Sequence, residues 1–525
     1  MSRDLVIIEA HGKLRTLYGI FSKIGLHADI CATIGHFLEN PADLKDLAIA
    51  YRDGEFIETK RQPHRPDSFA CLRDHLRRCE GRILIATDDD QEGHVIAQDV
   101  ATLIMEMGVR QPVYRMLVAG LDCDSVHSAL GSLQPIDPAK AVPGTARRIA
   151  DRLISSCLSD FEANRPVGRV QSALLGLCNQ GIPHSYINVK MPASDGGKPF
   201  VGELPVHGAT SPAQLIAQLG VFELPPAPIG HSESACMALP FNYGDALVEL
   251  NGALGMGIEA AADLLQELYE AGDISYPRTA SRGFTGAGAT AIERLAKVKG
   301  VMAFKRDRVP VLEVGEAGPH EAIRLLNDSL LQRLDLGKPI KLHATPREAA
   351  LAIIARRSVE SGVSVKREVP DLTHAPSWAQ RVAWRRDSRR AILPWRAAEP
   401  PVMVSPDQKA SMVLAMMRNG LGRPSTWPSH ASKFISRQLV DHAFRLTSKG
   451  QELLDAAPPA LRDVISSAQI ESMLDDENAE VADLVEEALL AATNQNEDAV
   501  ARFIEQLESL TDDVDDPQYR SRPAM

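Results

Sequence analysis

The residues best suited to chemistry begin with carboxylates at alternate positions. The run 87–93 reads T-D-D-D-Q-E-G. An extended backbone there turns Asp88, Asp90 and Glu92 to one side. Like charges held that close repel unless a cation joins them, and all-oxygen ligands favour Mg²⁺. The same run also suits a plain helix start, where acids complement the macrodipole. Glu9, at the end of another predicted strand, shifts the balance toward a site. Arginines form a second group. The segment 168–172 (G-R-V-Q-S) follows a predicted helix with Arg147, Arg148, Asp151 and Arg152. Guanidinium groups and free backbone N–H groups at a helix start both face an anion, although a capped helix with a surface arginine explains this string equally. His320 in P-H-E-A-I-R (319–324) and the turn N-G-L-G-R-P-S-T (419–426) are, taken singly, a structural hydrogen-bonder and a helix start.

The elements that position these groups follow from periodicity. Residues 5–8 read as a strand followed by Glu9, a glycine turn and a helix with Leu14, Leu17, Ile20 and Phe21 at helical spacing. A second strand–helix unit is predicted at 82–86 (R-I-L-I-A), the acidic run, and a helix over 95–107. Strands alternating with helices imply a parallel sheet, whose carboxyl ends gather the chemistry. Both acidic sites stand there. The proline-rich stretch 134–144 reads as a linker, 146–158 as an arginine-rich helix, and 190–245 as irregular β structure. Helices are predicted over 258–270, 349–361 and 407–418, and strands over 274–276, 364–369, 380–384 and 389–395.

The chain has 525 residues, 44% of them hydrophobic, enough for several cores but with no run approaching the ~20 apolar residues that cross a bilayer. Seven scattered cysteines without a C-x-x-C pair argue against zinc ribbons and a disulfide framework; with no visible signal segment, they suggest a reducing cytoplasm. The net charge of −12 hides an uneven distribution: residues 341–450 carry +11, residues 451–525 carry −15, and −8 remains for the rest. All four tryptophans lie in the basic block. Arginine with tryptophan suits a surface that neutralises phosphates and stacks bases, though tryptophan in a strand is more often core.

Glu9 with Lys13 (E-A-H-G-K), then D-D-D-Q-E-G, resembles the Toprim domain of topoisomerases, bacterial primases and certain nucleases. With the four further motifs in order over 9–426, the chain is identified as resembling the type IA DNA topoisomerases. The segment 274–282, I-S-Y-P-R-T-A-S-R, closely resembles the one carrying the nucleophilic tyrosine, above all as written in the topoisomerase III branch.

The resemblance implies a multidomain α/β plus α+β fold: a parallel-sheet Toprim domain within a toroid able to hold DNA. It implies ATP-independent cleavage of one strand through a 5′-phosphotyrosine, strand passage and religation, relaxing or decatenating DNA. Tyr276 would be the nucleophile. With a free pKa of ~10 its hydroxyl needs help. Arg278 would face the same way on a continuing strand and stabilise phenolate and phosphate oxygens. By analogy Glu9 carries the proton of the leaving 3′ oxygen, Lys13 stabilises the transition state, and His320 lies near the scissile phosphate. Asp88, Asp90 and Glu92 would hold Mg²⁺. Expected DNA contacts are Arg115, Arg148, Arg152, Arg169, Gln171, Ser172, Arg324, Arg423, Ser425 and Thr426.

The implied division is a Toprim domain (1–143), a helical DNA-binding lobe (144–190, resumed at 406–460), a β connector (191–240, returning at 336–405), the tyrosine-bearing domain (241–335) and an acidic helical tail (461–525). The partner is DNA, single-stranded at the cleavage site, with no membrane and no nucleotide. The tail, read first as a solvated appendage, could instead cover the basic block or dock a protein partner. Two features depart from the family pattern: Gln91 stands where arginine is usual and His94 where an acid or polar residue is common. Alternatives are a catalytically weak or inactive DNA-binding or assembly protein on this fold, and a Toprim nuclease or primase.

Overall fold

The computed structural model describes residues 3–207, 212–219, 224–312, 320–389, 393–395 and 407–509. The first body is built on β1 (Asp4–Ile8), α1 (Leu14–Ile24), β2 (Ala28–Ala32), α2 (Pro66–Arg78), β3 (Ile83–Ile85), α3 (Gln91–Glu106) and β4 (Val113–Arg115). The four strands form a parallel sheet in the order β2-β1-β3-β4, with Ile7 in register between Cys31 and Ile85. Ile83, Leu84 and Ile85 are all fully buried, as expected of a parallel strand covered on both faces. β1 and β3 are the central neighbours. Glu9 and Asp88 therefore leave the sheet side by side at its carboxyl edge.

The predicted linker at 134–144 is instead packed structure. Gln134 exchanges two backbone hydrogen bonds with Arg115, a 3₁₀ turn covers Pro138–Ala141, and α4 (Val142–Leu158) begins at once. Pro143 lies in the first turn of α4, where a missing N–H costs nothing. Next come α5 (Arg169–Gln180), the antiparallel pair β5 (Pro183–Met191) and β6 (Phe200–His207), and β7 (Ile229–Cys236). Then follow α6 (Ile258–Glu270), α7 (Pro346–Ser361), β8 (Ser364–Pro370), β9 (Arg386–Arg389), α8 (Gln408–Arg418) and α9 (Trp427–Ser436). β7, β8 and β9 make one antiparallel sheet.

Several expectations are corrected here. Residues 274–276 form no strand; Ile274 makes a single bridge to Leu325. Residues 377–381 form a 3₁₀ turn where a strand was expected from 380, and the strand expected over 389–395 ends at Arg389, with 390–392 outside the described residues. Trp378, Trp384 and Trp427 are buried in cores, and Trp395 donates from its indole nitrogen to Glu360 at 2.8 Å. Three of the four tryptophans thus build the protein's interior instead of a base-stacking surface, and Trp395 is half-buried.

The acidic C-terminal segment is no appendage over its described part. It forms α10 (Val464–Met473), α11 (Val481–Ala492) and α12 (Glu497–Ser509). Leu484, Val485, Ala488 and Leu489 of α11 are buried in one core with Ala146, Ile149, Ala150 and Leu153 of α4. The spacing of these apolar positions is helical, so the acids fall on the outer face and conceal an amphipathic element. Residues 510–525 lie outside the described residues. Among the described residues no helix is long and apolar enough to cross a membrane.

Candidate active site

The carboxyl edge of the sheet carries an acidic loop fixed from three sides. Asp90 is the N-cap of α3, its carboxylate accepting the Gly93 N–H at 2.8 Å. A Cβ on Gly93 would lie 2.0 Å from the Asp88 carbonyl oxygen, so the tight entry into α3 demands glycine. The buried Arg115 guanidinium donates to the carbonyls of Ile85 at 3.0 Å and of Thr87 and Asp88 at 2.7 Å. Arg115, expected on DNA, pins this loop through its two terminal nitrogens, while its buried Nε has no partner.

Against the loop lies the segment of Tyr276, a side chain only 2% exposed. Its hydroxyl donates to Asp90 Oδ2 at 2.6 Å. The ring lies 4.1 Å, centroid to centroid, from the His320 imidazole and 5.3 Å, edge on, from the Tyr269 ring. Burial pushes the Tyr276 phenol well above its ordinary value, Asp90 and Asp88 add to this, and Arg278 opposes it. Burial also lowers the His320 imidazole against the pull of Asp89, Asp88 and Asp90, which favours its neutral form. His320 Nε2 is buried without a hydrogen-bond partner, and so is Glu9 Oε2. Two unsatisfied polar atoms in one buried site point to a ligand that satisfies both.

Lys13 is 2% exposed and donates to Asp88 Oδ1. Tyr269 of α6 donates to the same oxygen at 3.0 Å, and its ring lies 4.9 Å from the Lys13 ammonium. Burial raises the Asp88 carboxyl, but Lys13 and Tyr269 outweigh it and the group falls below its usual range. Glu9 goes the other way. Burial, then Asp88 and Asp90, raise it to about 7 against Lys13 and Arg278. Two neighbouring acids driven apart in this manner are an acid–base arrangement.

The predicted set is thus divided. Glu9, Lys13, Asp88, Asp90, Tyr276, Arg278 and His320 come together. Glu92 does not: it lies inside α3, where the expected extended backbone is absent, and its carboxylate meets His36 Nε2 at 2.5 Å. Arg148 pairs with buried Glu58 at 2.5 Å, and Arg152 donates to the carbonyls of Leu47 at 2.6 Å and Pro41 at 2.9 Å. Arg169 is buried between Asp151, 2.8 Å away, and Glu471. These three side chains meet protein groups. Ser172 is buried, Arg324 pairs with Glu321 at 2.6 Å, and Gln171 accepts from Arg437 at 2.6 Å. Arg423 and Thr426 shape the 421–426 turn, in which Ser425 is half-buried; Thr426 Oγ1 accepts the Arg423 N–H at 3.2 Å. Tyr269 escapes sequence reasoning, because a tyrosine on the apolar face of α6 reads as core.

A sequence model of a family described as DNA topoisomerase matches residues 136–365. The chain is 24% identical over 375 residues to a mimivirus protein named "DNA topoisomerase 1 type prokaryotic", covering 62% of this chain but 42% of that one. It is 23% identical to "DNA topoisomerase 1" of Synechocystis, covering 90% of this chain and 62% of the relative. The chain therefore spans less than two thirds of these two relatives. With "DNA topoisomerase 1" of Thermotoga maritima the identity is 23%, over 90% of this chain and 81% of the relative. The fold resembles full-length topoisomerase I from T. maritima with a TM-score of 0.61 at 19% identity, over 98% of this chain and 90% of that one. None of these relatives singles out the topoisomerase III branch. The family match over residues 136–365, the similarity to these relatives and the shared fold all agree with the resemblance to the type IA DNA topoisomerases that the five ordered motifs carry.

Proposed function

We propose that this protein cuts and reseals one strand of DNA at Tyr276, passing another strand through the gap without a nucleotide. One observation carries the reading: the Tyr276 hydroxyl, brought from a distant segment, is seated on Asp90 at the carboxyl edge of the acidic sheet. The phenolic oxygen attacks phosphorus and its proton passes to Asp90. The bond from phosphorus to the 3′ oxygen breaks, and that oxygen takes the proton of Glu9. The 5′ phosphate stays on Tyr276, and reversal reseals the strand. Lys13, Arg278 and His320 surround the position where charge develops on the phosphate. Nothing observed favours an inactive binder, a nuclease or a primase.

Asp88 and Asp90 offer hard oxygen atoms of the kind Mg²⁺ prefers, and the nearby Glu9 Oε2 is unsatisfied, but among the described residues the three carboxylates do not converge as a ready-made ligand set, so they would have to shift to hold the ion. Glu92, turned to His36, does not join them. Bound there, Mg²⁺ would neutralise the crowded carboxylates and help position the DNA backbone. Relaxation is expected to stop in EDTA while DNA binding persists; an undiminished rate in EDTA would remove the metal from the reading.

Tyr269 acts as a positioning residue, holding Asp88 and, through it, Lys13. Tyr269→Phe keeps the ring and loses a hydrogen bond to a charged group, worth about 1.5–3 kcal/mol. The turnover rate is expected to fall roughly tenfold or more, with half-saturation by DNA little changed. Asp88 also loses a partner that lowers its pKa, so the acid limb of the pH profile should move upward. An unmoved limb would show that Tyr269 only fills space.

The decisive test uses a single-stranded oligonucleotide labelled at either end, incubated with Mg²⁺ and denatured rapidly. An adduct on Tyr276 retaining the 3′-side fragment is expected. Absence of any adduct despite DNA binding would refute the assignment.

A further inference from the structure

A single carboxylate oxygen near the nucleophile is surrounded by donors from three separate elements. Asp475 Oδ1 accepts from Gln91 Nε2 at 2.8 Å, from Arg147 Nη2 at 2.9 Å, and from an Arg423 Nη atom. Gln91 opens α3, Arg147 lies in α4, and Arg423 lies in the 421–426 turn. Two guanidinium groups and an amide converging on one oxygen also suit a phosphodiester oxygen, which carries the same charge and accepts the same bonds.

The acids here occupy two levels. Glu471 is the floor: its side chain is 10% exposed, it meets Arg169, Arg147 and Arg423, and those arginines hold its carboxyl down at about 2 despite burial. Removing it would strand buried arginines. Asp475 is the upper level, 48% exposed, in the turn after α10, where its own N–H is bonded to Ser472 O. Leu474 beside it is fully buried and anchors the turn. The Asp475 side chain can therefore swing out while the helix stays fixed. A half-exposed ion pair of this kind contributes little to stability, so its exchange costs little.

Position identifies the ligand. Gln91 directly follows Asp90, whose carboxylate holds the Tyr276 hydroxyl. Gln91 also stands at the amino-terminal end of α3, where the helix macrodipole favours an anion. We propose that Gln91, Arg147 and Arg423 form the seat of a DNA backbone phosphate next to the cleavage site, and that Asp475 fills this seat until a strand enters and replaces its carboxylate. This deepens the proposed function and rests on it for the identity of the strand. It assigns the unusual Gln91 a role as third donor, and it makes the acidic segment a competitor of DNA.

The test compares full-length wild type with Asp475→Asn for binding a fluorescent single-stranded oligonucleotide over a salt series. The variant is expected to bind about tenfold more tightly at low salt, with the slope of log Kd against log salt steeper by about one. In an Arg423→Gln background the same substitution should change Kd by less than about twofold, since the seat is already broken. Unchanged or weaker binding by Asp475→Asn overturns the proposal, as does a full gain in the Arg423→Gln background. Adduct formation on Tyr276 is measured in the same wild-type samples. An adduct without the Asp475→Asn gain refutes the seat alone; the gain without an adduct refutes the cleavage reading and leaves the seat as a DNA site.

Discussion

Tyr276→Phe is expected to abolish the covalent adduct and lower relaxation by about 10⁴-fold or more, since the group proposed to carry the phosphoryl ester is gone. The fold should survive. The ring is held by Tyr269 and His320, and the substitution deletes only the hydroxyl bonded to Asp90. Asp90 keeps its bond from the Gly93 N–H and so still caps α3. A thermal midpoint within a few degrees of wild type, together with unimpaired oligonucleotide binding, separates loss of the nucleophile from loss of structure. Relaxation retained by this variant would remove the central claim.

Glu9→Gln should alter both chemistry and stability. At about 7, Glu9 is matched to proton donation near neutral pH, a contribution of typically 10²–10⁴-fold. Cleavage by wild type should decline as pH rises through about 7, and the weakened variant should lose that dependence. The stability effect follows from the same cause. The folded protein holds the Glu9 proton more tightly than an ordinary carboxyl with a pKa of 4.5, so this contribution is complete below 4.5 and lost as pH rises through about 7. The gap amounts to about 3 kcal/mol. Urea unfolding should find the variant more stable than wild type by roughly that amount above neutrality, with the difference vanishing in acid. A constant difference across pH would mean that Glu9 is not held protonated by its surroundings.

Much of the Toprim-like sheet was legible because a doubly covered parallel strand such as 83–85 must be apolar throughout, and the acidic loop after it holds more carboxylates than the one that caps α3. The tyrosine segment was legible through its resemblance alone, since no strand supports the expected alignment of Tyr276 with Arg278. Other features hidden from the sequence share a physical cause. Arginine spacing along α4 indicates a face but not the acids that meet it, and Glu58 and Glu471 are remote in sequence. Composition counted the charges of the C-terminal segment, whereas folding obeys its apolar period, which docks α11 on α4. Glu92 was misplaced because the helix begins one residue after Asp90, turning a two-residue alternation into a helical rotation.

The tyrosine segment meets the acidic sheet through polar bonds: Tyr276 to Asp90, Tyr269 to Asp88, and Thr16 Oγ1 to the Glu270 carbonyl at 2.6 Å. Under the proposed mechanism the first of these is at once latch and blade. If the latch lifts before cutting, the blade leaves with it and the DNA stays whole. If it lifts afterwards, the severed end travels on the blade and returns when the latch closes. An interlock of this kind needs no separate sensor to keep an open gate from releasing a broken chromosome.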